Sequence, residues 1–149
     1  MMAPAPNLNA RALAIARGWI GTPYRHRAAL CGVGADCLGL VRGVWCALYG
    51  RAGPDVPPYV PDWSEPAGVE PLWTALRTHL AEVPRPCDGQ VLLFRMGPNA
   101  MAKHLGLQSR GGAAFVHACP RAGVIEAPLS APWARRIVAR FDFLALPTG

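Results

Sequence analysis

The spacing of apolar residues changes near Gly89, from a helical period upstream to alternating and continuous apolar runs downstream. Ala10 to Arg17 are mostly strong helix formers, with Asn7 or Asn9 available as a cap and Gly18 as a stop. From Leu38, the residues Leu40, Val41, Val44, Trp45, Leu48 and Tyr49 recur at the interval that lines one face of a helix. Asp36 stands at the N-cap position of that helix and Gly50 just past its end. A third amphipathic helix is predicted over Val69 to Ala81 from Leu72, Trp73, Leu76 and Leu80, with His79 among its exposed positions.

Beyond Gly89, strands are predicted at Gln90 to Arg95, His104 to Ser109, Ala113 to Ala118, Val124 to Ala127 and Ile137 to Leu144, with turn residues between them. Helices followed by strands predict an α+β fold, the N-terminal helices packed on a mostly antiparallel sheet of about five strands. Between the first two helices, Pro23 holds Thr22 extended and lacks a backbone donor, so Tyr24 lies on an irregular segment. Arg25 to Ala35 reads as a loop carrying a solvated His26. Arg51 to Gly68, rich in Pro, Gly and acidic residues and anchored by Tyr59 and Trp63, reads as an ordered loop and one wall of a groove. Nothing after it has a separate core, so residues 1–149 are read as a single domain.

This pattern gives one cysteine a distinctive context. Cys37 falls in the first turn of the second helix, where unpaired N–H groups and the helix dipole favour thiolate over thiol. The alternative is an ordinary buried cysteine. His104 and His117 flank a hairpin through Arg110-Gly111-Gly112. A loop of two or four residues that sets Ser109 opposite Gly112 also sets His104 directly opposite His117, with Leu105, Leu107, Ala114 and Val116 on the other face. A thiol nucleophile needs such neighbours: one imidazole to take and return a proton, and a third polar group to orient it.

Composition narrows the partners. Lys and Arg number 15 against 9 Asp and Glu, a net charge of +6, which suits polyanionic surroundings such as cell wall or nucleic acid. Aromatic and basic residues do not interleave as in RNA-binding modules and no cysteine pair has zinc-finger spacing, so no nucleic acid, metal or cofactor is expected. Five cysteines without regular spacing do not describe a disulfide framework; Cys31, Cys46, Cys87 and Cys119 are read as packing or surface thiols. Met1 to Asn9 has neither a basic nor an apolar signal region, and the longest apolar runs are broken short of a span. The expectation is a soluble protein made in the cytoplasm, without membrane insertion.

The ordered set Gly21-Thr22-Pro23-Tyr24, Asp36-Cys37-Leu38-Gly39-Leu40, Lys103-His104-Leu105-Gly106-Leu107 and Phe115-Val116-His117-Ala118 resembles the NlpC family of papain-like cysteine peptidases. It is most similar to the branch found in phage tails and gene transfer agents, over the stretch from Ala10 to the last strand. The resemblance implies the papain-like NlpC fold, with Cys37 as nucleophile, His104 as general base and acid, and His117 as the orienting residue. It implies that Tyr24 points its hydroxyl into the site to stabilise the oxyanion beside the Cys37 N–H; the other reading is a half-buried tyrosine with its hydroxyl in water. For Asp36, capping is a sufficient role, and binding of a substrate amine is a second. Leu38 stands where the family usually has serine, as it does in the phage-tail branch. Cys87-Asp88-Gly89 replaces a simpler Pro-Gly-Asp turn, which leaves the register of the first strand open.

The activity so implied is cleavage of peptidoglycan stem peptides between γ-D-glutamate and a diamino acid such as meso-diaminopimelate. The implied setting is the tail tip of a virion or phage-like particle, among tail-tip or hub proteins, acting in the envelope of a target cell. Two other readings stand beside it: a structural tail component without turnover, and an amidase or thioester-handling acyltransferase. A peptidase of this kind is expected to need reduced thiol, to lose activity as an imidazole protonates at mildly acidic pH, and to react with iodoacetamide first at Cys37.

Overall fold

In the computed structural model, which describes residues 8–51 and 70–145, two N-terminal helices lie against one face of a sheet. Helix α1 spans Leu8–Arg17 and helix α2 spans Cys37–Tyr49. Both predicted ends of α2 are present. Asp36 has extended backbone and its Oδ1 accepts from the Gly39 N–H at 2.7 Å; Gly50, at φ +69°, closes the helix by donating to the Cys46 carbonyl. The inward face is Leu40, Val41, Val44, Trp45 and Leu48. Leu40 and Val44 are wholly inaccessible, and each such side chain contributes about 1.5–3 kcal/mol.

The large sheet has six strands in the order β3-β8-β4-β5-β6-β7, all neighbours antiparallel. They are β3 (Ala81–Glu82), β4 (Val91–Arg95), β5 (Ala102–Ser109), β6 (Ala114–Cys119), β7 (Gly123–Pro128) and β8 (Ile137–Asp142). Val91, Leu93, Leu105, Leu107, Val116 and Ala118 face the helices in the main core. Leu92, Phe94 and Phe115 face the other way into a smaller apolar cluster, where Trp133 of the short helix α4 (Ala131–Ala134) joins them. A two-stranded ribbon, β1 (Ala29–Leu30) with β2 (Gly34–Ala35), precedes α2, and helix α3 spans Pro71–His79.

The α+β architecture agrees with the sequence pattern, and the differences have local causes. The sheet gains β3 because Leu80 is already extended and Ala81 pairs with Asp142, whereas the apolar spacing had carried α3 through Ala81. His79 is half-buried, edge-on to the Trp45 ring with centroids 6.0 Å apart, rather than exposed. Asn9 lies inside α1 instead of capping it; its Nδ2 donates to Asp142 and its Oδ1 accepts from the Phe143 N–H, tying the helix to the end of β8. Asn7 and the predicted loop beyond Arg51 lie outside the described residues. The open register of the first strand is set by Gly89 N–H to Gln108 O at 2.8 Å and Gln108 N–H to Gln90 O at 3.0 Å. No helix among the described residues is long and apolar enough to cross a membrane.

Gly39 permits the close packing of the loop over α2: a Cβ there would lie 1.8 Å from the Ala28 carbonyl oxygen. Gly39→Ala is expected to cost about 1–3 kcal/mol by overpacking, read as a lower urea midpoint at unchanged slope. Gly97→Ala, whose Cβ would meet only Ala100 at 3.9 Å, is the control and should stay within about 0.5 kcal/mol of the parent.

Candidate active site

The β5–β6 hairpin decides whether the two histidines meet. Ser109 pairs with Ala114, Gln108 with Phe115 and Leu107 with Val116, so the loop is the four residues 110–113. Arg110, Gly111 and Gly112 all have positive φ. Ser109 is therefore not opposite Gly112, and the register is offset by two residues from the expected one. An offset of two keeps the parity: His104 and His117 share a face, as predicted, but meet diagonally rather than directly across. Extending the register by one pair sets His117 across from Gly106, where a Cβ would lie 2.8 Å from the Phe115 ring and 3.2 Å from the His117 Cβ. That missing side chain leaves room for His117 to lean toward His104. The result is a hydrogen bond of 2.9 Å between His104 Nε2 and His117 Nδ1, the rings edge to face at 88°.

The β4–β5 ladder is irregular at the same place. Phe94 pairs with His104 but Arg95 pairs with Ala102, which leaves Lys103 as an extra residue in β5. Such a bulge re-aims the end of a strand. The Cys37 sulfur docks there, 3.5 Å from the Lys103 carbonyl oxygen, and accepts from the Leu105 N–H. The sulfur is thus held by the backbone on both sides of His104. At rest the thiol donates to the Lys103 carbonyl and not to the imidazole, while the imidazole bonds His117.

Electrostatics correct the expectation of a resting thiolate. Cys37 is buried, and burial pushes its thiol up to about 12, against the lowering effect of the Leu105, Leu38 and Cys37 N–H groups. A rise from 9.0 to about 12 corresponds to about 4 kcal/mol against the anion. A helix terminus supplies up to about 2 kcal/mol, so desolvation wins. Burial, and then the neighbouring His117, lower His104 to about 3; burial lowers His117 to about 4. At neutral pH the three groups are an uncharged thiol and two uncharged imidazoles.

Tyr24 and Asp36 are tied to the same point. Tyr24 forms a parallel bridge with Ala35, flanked by Arg25 N–H to Ala35 O at 3.1 Å and Ala35 N–H to Pro23 O at 3.0 Å. The half-buried Tyr24 hydroxyl is raised above the usual phenol range by burial, then by the charges of Cys37 and Asp36, so it lies within electrostatic reach of both. Both Asp36 oxygens serve the backbone, Oδ1 accepting from Gly39 and Oδ2 from Arg27 at 2.7 Å; exposed His26 is 3.8 Å away. The other four cysteines are in no disulfide, and Cys31 and Cys87 are exposed. No group of His, Cys, Asp and Glu among the described residues could hold a metal ion.

Sequence reasoning missed the aromatic surroundings of the histidines. Phe115 stacks on His117 with centroids 4.1 Å apart, Phe94 lies 5.6 Å from His104, and Trp133 touches both imidazoles. Ser130 followed by Pro132 marks the start of α4 in the sequence, yet no periodicity says which side chains Trp133 covers.

No family model and no curated protein matches the sequence. Solved structures do match. One is a protein similar to a lipoprotein, of the NLP/P60 family, from Staphylococcus aureus, with TM-score 0.65 and 17% identity over 98% of this chain and 45% of that one. Another is an NlpC/P60 family protein from Bacillus cereus, with TM-score 0.64 and 16% identity over 92% of this chain and 40% of that one. The fold is the α+β fold of those NlpC/P60 structures, and the chain spans less than half the length of either.

Two predictions follow from the uncharged site. Exposed Cys31 and Cys87 are expected to react with iodoacetamide before Cys37 at neutral pH, read by peptide mass spectrometry over a time course; first labelling at Cys37 would mean that the buried thiol is ionised after all. Unfolded histidines bind protons near 6.5, whereas the folded pair stays neutral down to about 4. Across that window the unfolded state holds more protons, so stability falls as pH drops. Thermal midpoints should decline from pH 7 to pH 4.5, and less steeply in a His104→Gln, His117→Gln double variant. Glu126, held at about 2 by its hydrogen bond to Arg17, loses its contribution only below that range.

Proposed function

We propose that this chain is a cysteine endopeptidase acting on peptidoglycan stem peptides. The observation that carries the reading is the sulfur at the first turn of α2, bonded to backbone on both sides of His104, whose ring is bonded in turn to His117. The NlpC/P60 likeness of the fold supports it. His104 Nε2 is taken up by His117, so Nδ1 is the nitrogen left to serve the thiol. For Nδ1 to accept a proton, Nε2 carries the ring hydrogen and donates to His117 Nδ1, which fixes His117 as the Nε2–H tautomer.

Attack begins with the thiol leaving the Lys103 carbonyl and passing its proton to His104 as the sulfur bonds the substrate carbonyl carbon. Proton transfer and attack are coupled, because neither an isolated thiolate nor an isolated imidazolium is favoured in this burial. The oxyanion is met by the Cys37 N–H and the Tyr24 hydroxyl. Collapse breaks the amide bond, and the amine leaves with the proton from His104. Water then cleaves the thioester, its proton passing through His104, and restores the thiol. The bond proposed is that between γ-D-glutamate and a diamino acid, and the setting a phage-like tail tip that opens the wall locally. The net charge of +6 suits an anionic wall. The burial of the sulfur is the observation that favours the competing reading, a structural tail component without turnover.

Incubation with purified sacculi, read as new free amines by mass spectrometry, is expected to show release by the parent and at least a thousandfold less by Cys37→Ala or His104→Ala. Equal behaviour of parent and Cys37→Ala would leave the structural role; product masses at other bonds would reassign it as an amidase. The base is needed neutral, and burial keeps it neutral down to about 3–4. Activity should therefore persist through mildly acidic pH and fail only near pH 4, lower than an exposed imidazole would allow.

A further inference from the structure

A hydrogen bond between two neutral imidazoles is worth about 0.5–1.5 kcal/mol net, and water competes for both partners. A carboxylate in the third position would make a charge-assisted bond roughly twice as strong, which survives solvent better. A histidine pair has a further weakness. Protonating His117 turns its Nδ1 from acceptor to donor, so the contact persists only if His104 moves its own hydrogen from Nε2 to Nδ1, which takes away the acceptor nitrogen facing the thiol. The pair therefore needs a dry, uncharged enclosure.

Trp133 completes such an enclosure. Its ring centroid lies 5.4 Å from His104 and 5.3 Å from His117, and 5.4 Å and 5.1 Å from Phe94 and Phe115. Phe94 and Phe115 form the floor, themselves 5.3 Å apart, and Phe115 stacks on the buried His117. The Arg136 guanidinium sits over the Trp133 ring at 5.5 Å, a cation–π contact that steadies the indole. Of the titratable and charged groups, the partner histidine meets each ring, Lys103 precedes His104 in the bulge, the Cys37 sulfur is bonded to backbone on both sides of His104, and Arg136 lies over the Trp133 indole. The remaining neighbours, Phe94 from β4, Phe115 from β6 and Ile125 across from His117 on β7, carry no charge.

We infer that Trp133 is a positioning residue: its indole roofs the His104–His117 pair, excludes water from the bond between the rings and keeps both imidazoles in the neutral form in which His104 Nε2–H donates to His117 Nδ1. Sense as a catalytic device rests on the peptidase reading, whereas the roof itself is testable without substrate. The measurement is an NMR pH titration of the His104 and His117 ring protons, assigned with the single His→Gln variants, in parent, Trp133→Ala, Trp133→Leu and Trp133→Phe, each checked for folding by circular dichroism.

Trp133→Ala is expected to raise both imidazoles by about one pKa unit or more toward 6.5, a tenfold or greater gain in proton affinity, and Trp133→Phe to restore most of the parent behaviour. Trp133→Leu decides the matter should Trp133→Ala fail to fold, with a rise of at least threefold in proton affinity expected. A folded Ala or Leu variant with unmoved titrations overturns the inference, because a merely structural tryptophan would lower the melting temperature and leave the titration alone. If the parent releases nothing from sacculi yet its histidines titrate as described, the peptidase reading fails and the roof stands.

Discussion

The docking of the first turn of α2 on β5 at Lys103 to Leu105 is the contact on which the rest depends. It belongs equally to the core and to the site. Leu40 and Val44 below it are wholly buried, and the sulfur above it is fixed by the Lys103 carbonyl and the Leu105 amide. The same packing that stabilises the helix removes water from the thiol. Desolvation then outweighs the helix terminus, and Cys37 is held as a neutral thiol rather than as an anion.

The histidine pair repeats that economy with different chemistry. His104 and His117 lie among Phe94, Phe115 and Trp133, and burial holds both imidazoles uncharged far below their ordinary range. A charged triad would need compensating partners inside an apolar cluster, at a cost of several kcal/mol per ion. A chain of neutral donors and acceptors needs only geometry, and the geometry comes from a four-residue hairpin loop, a bulge at Lys103 and the absent side chain of Gly106.

The strand ends are held by polar groups well away from the site. Arg140 donates to both Gln90 and Gln108, Gln90 donates to Asp142, and Asn9 joins Asp142 from α1. Asp88 accepts from Gln108 and from the Gly111 N–H in the hairpin loop. Gln90 and Gln108 are buried, so each bond they keep offsets a desolvation penalty, and together they fix the register of β4, β5 and β8. A shift of that register by one residue would send His104 to the other face of the sheet.

Much of this was legible in the sequence because it follows from local periodicity and caps. The α2 face, the Asp36 and Gly50 ends, the shared face of the two histidines and the α+β order all depend on neighbours a few residues apart. Tertiary structure alone decided the diagonal meeting of the histidines, because hairpin registers that differ by two residues preserve the same alternation. It also decided the strand β3, which local apolar spacing had assigned to a helix, and the ionisation of Cys37. A helix start argues for thiolate, but how much water reaches the sulfur depends on β5, more than sixty residues away in the chain. Trp133 is the extreme case: its part in the structure comes wholly from rings that four different strands and helices bring to one place, and no spacing along the chain encodes that meeting.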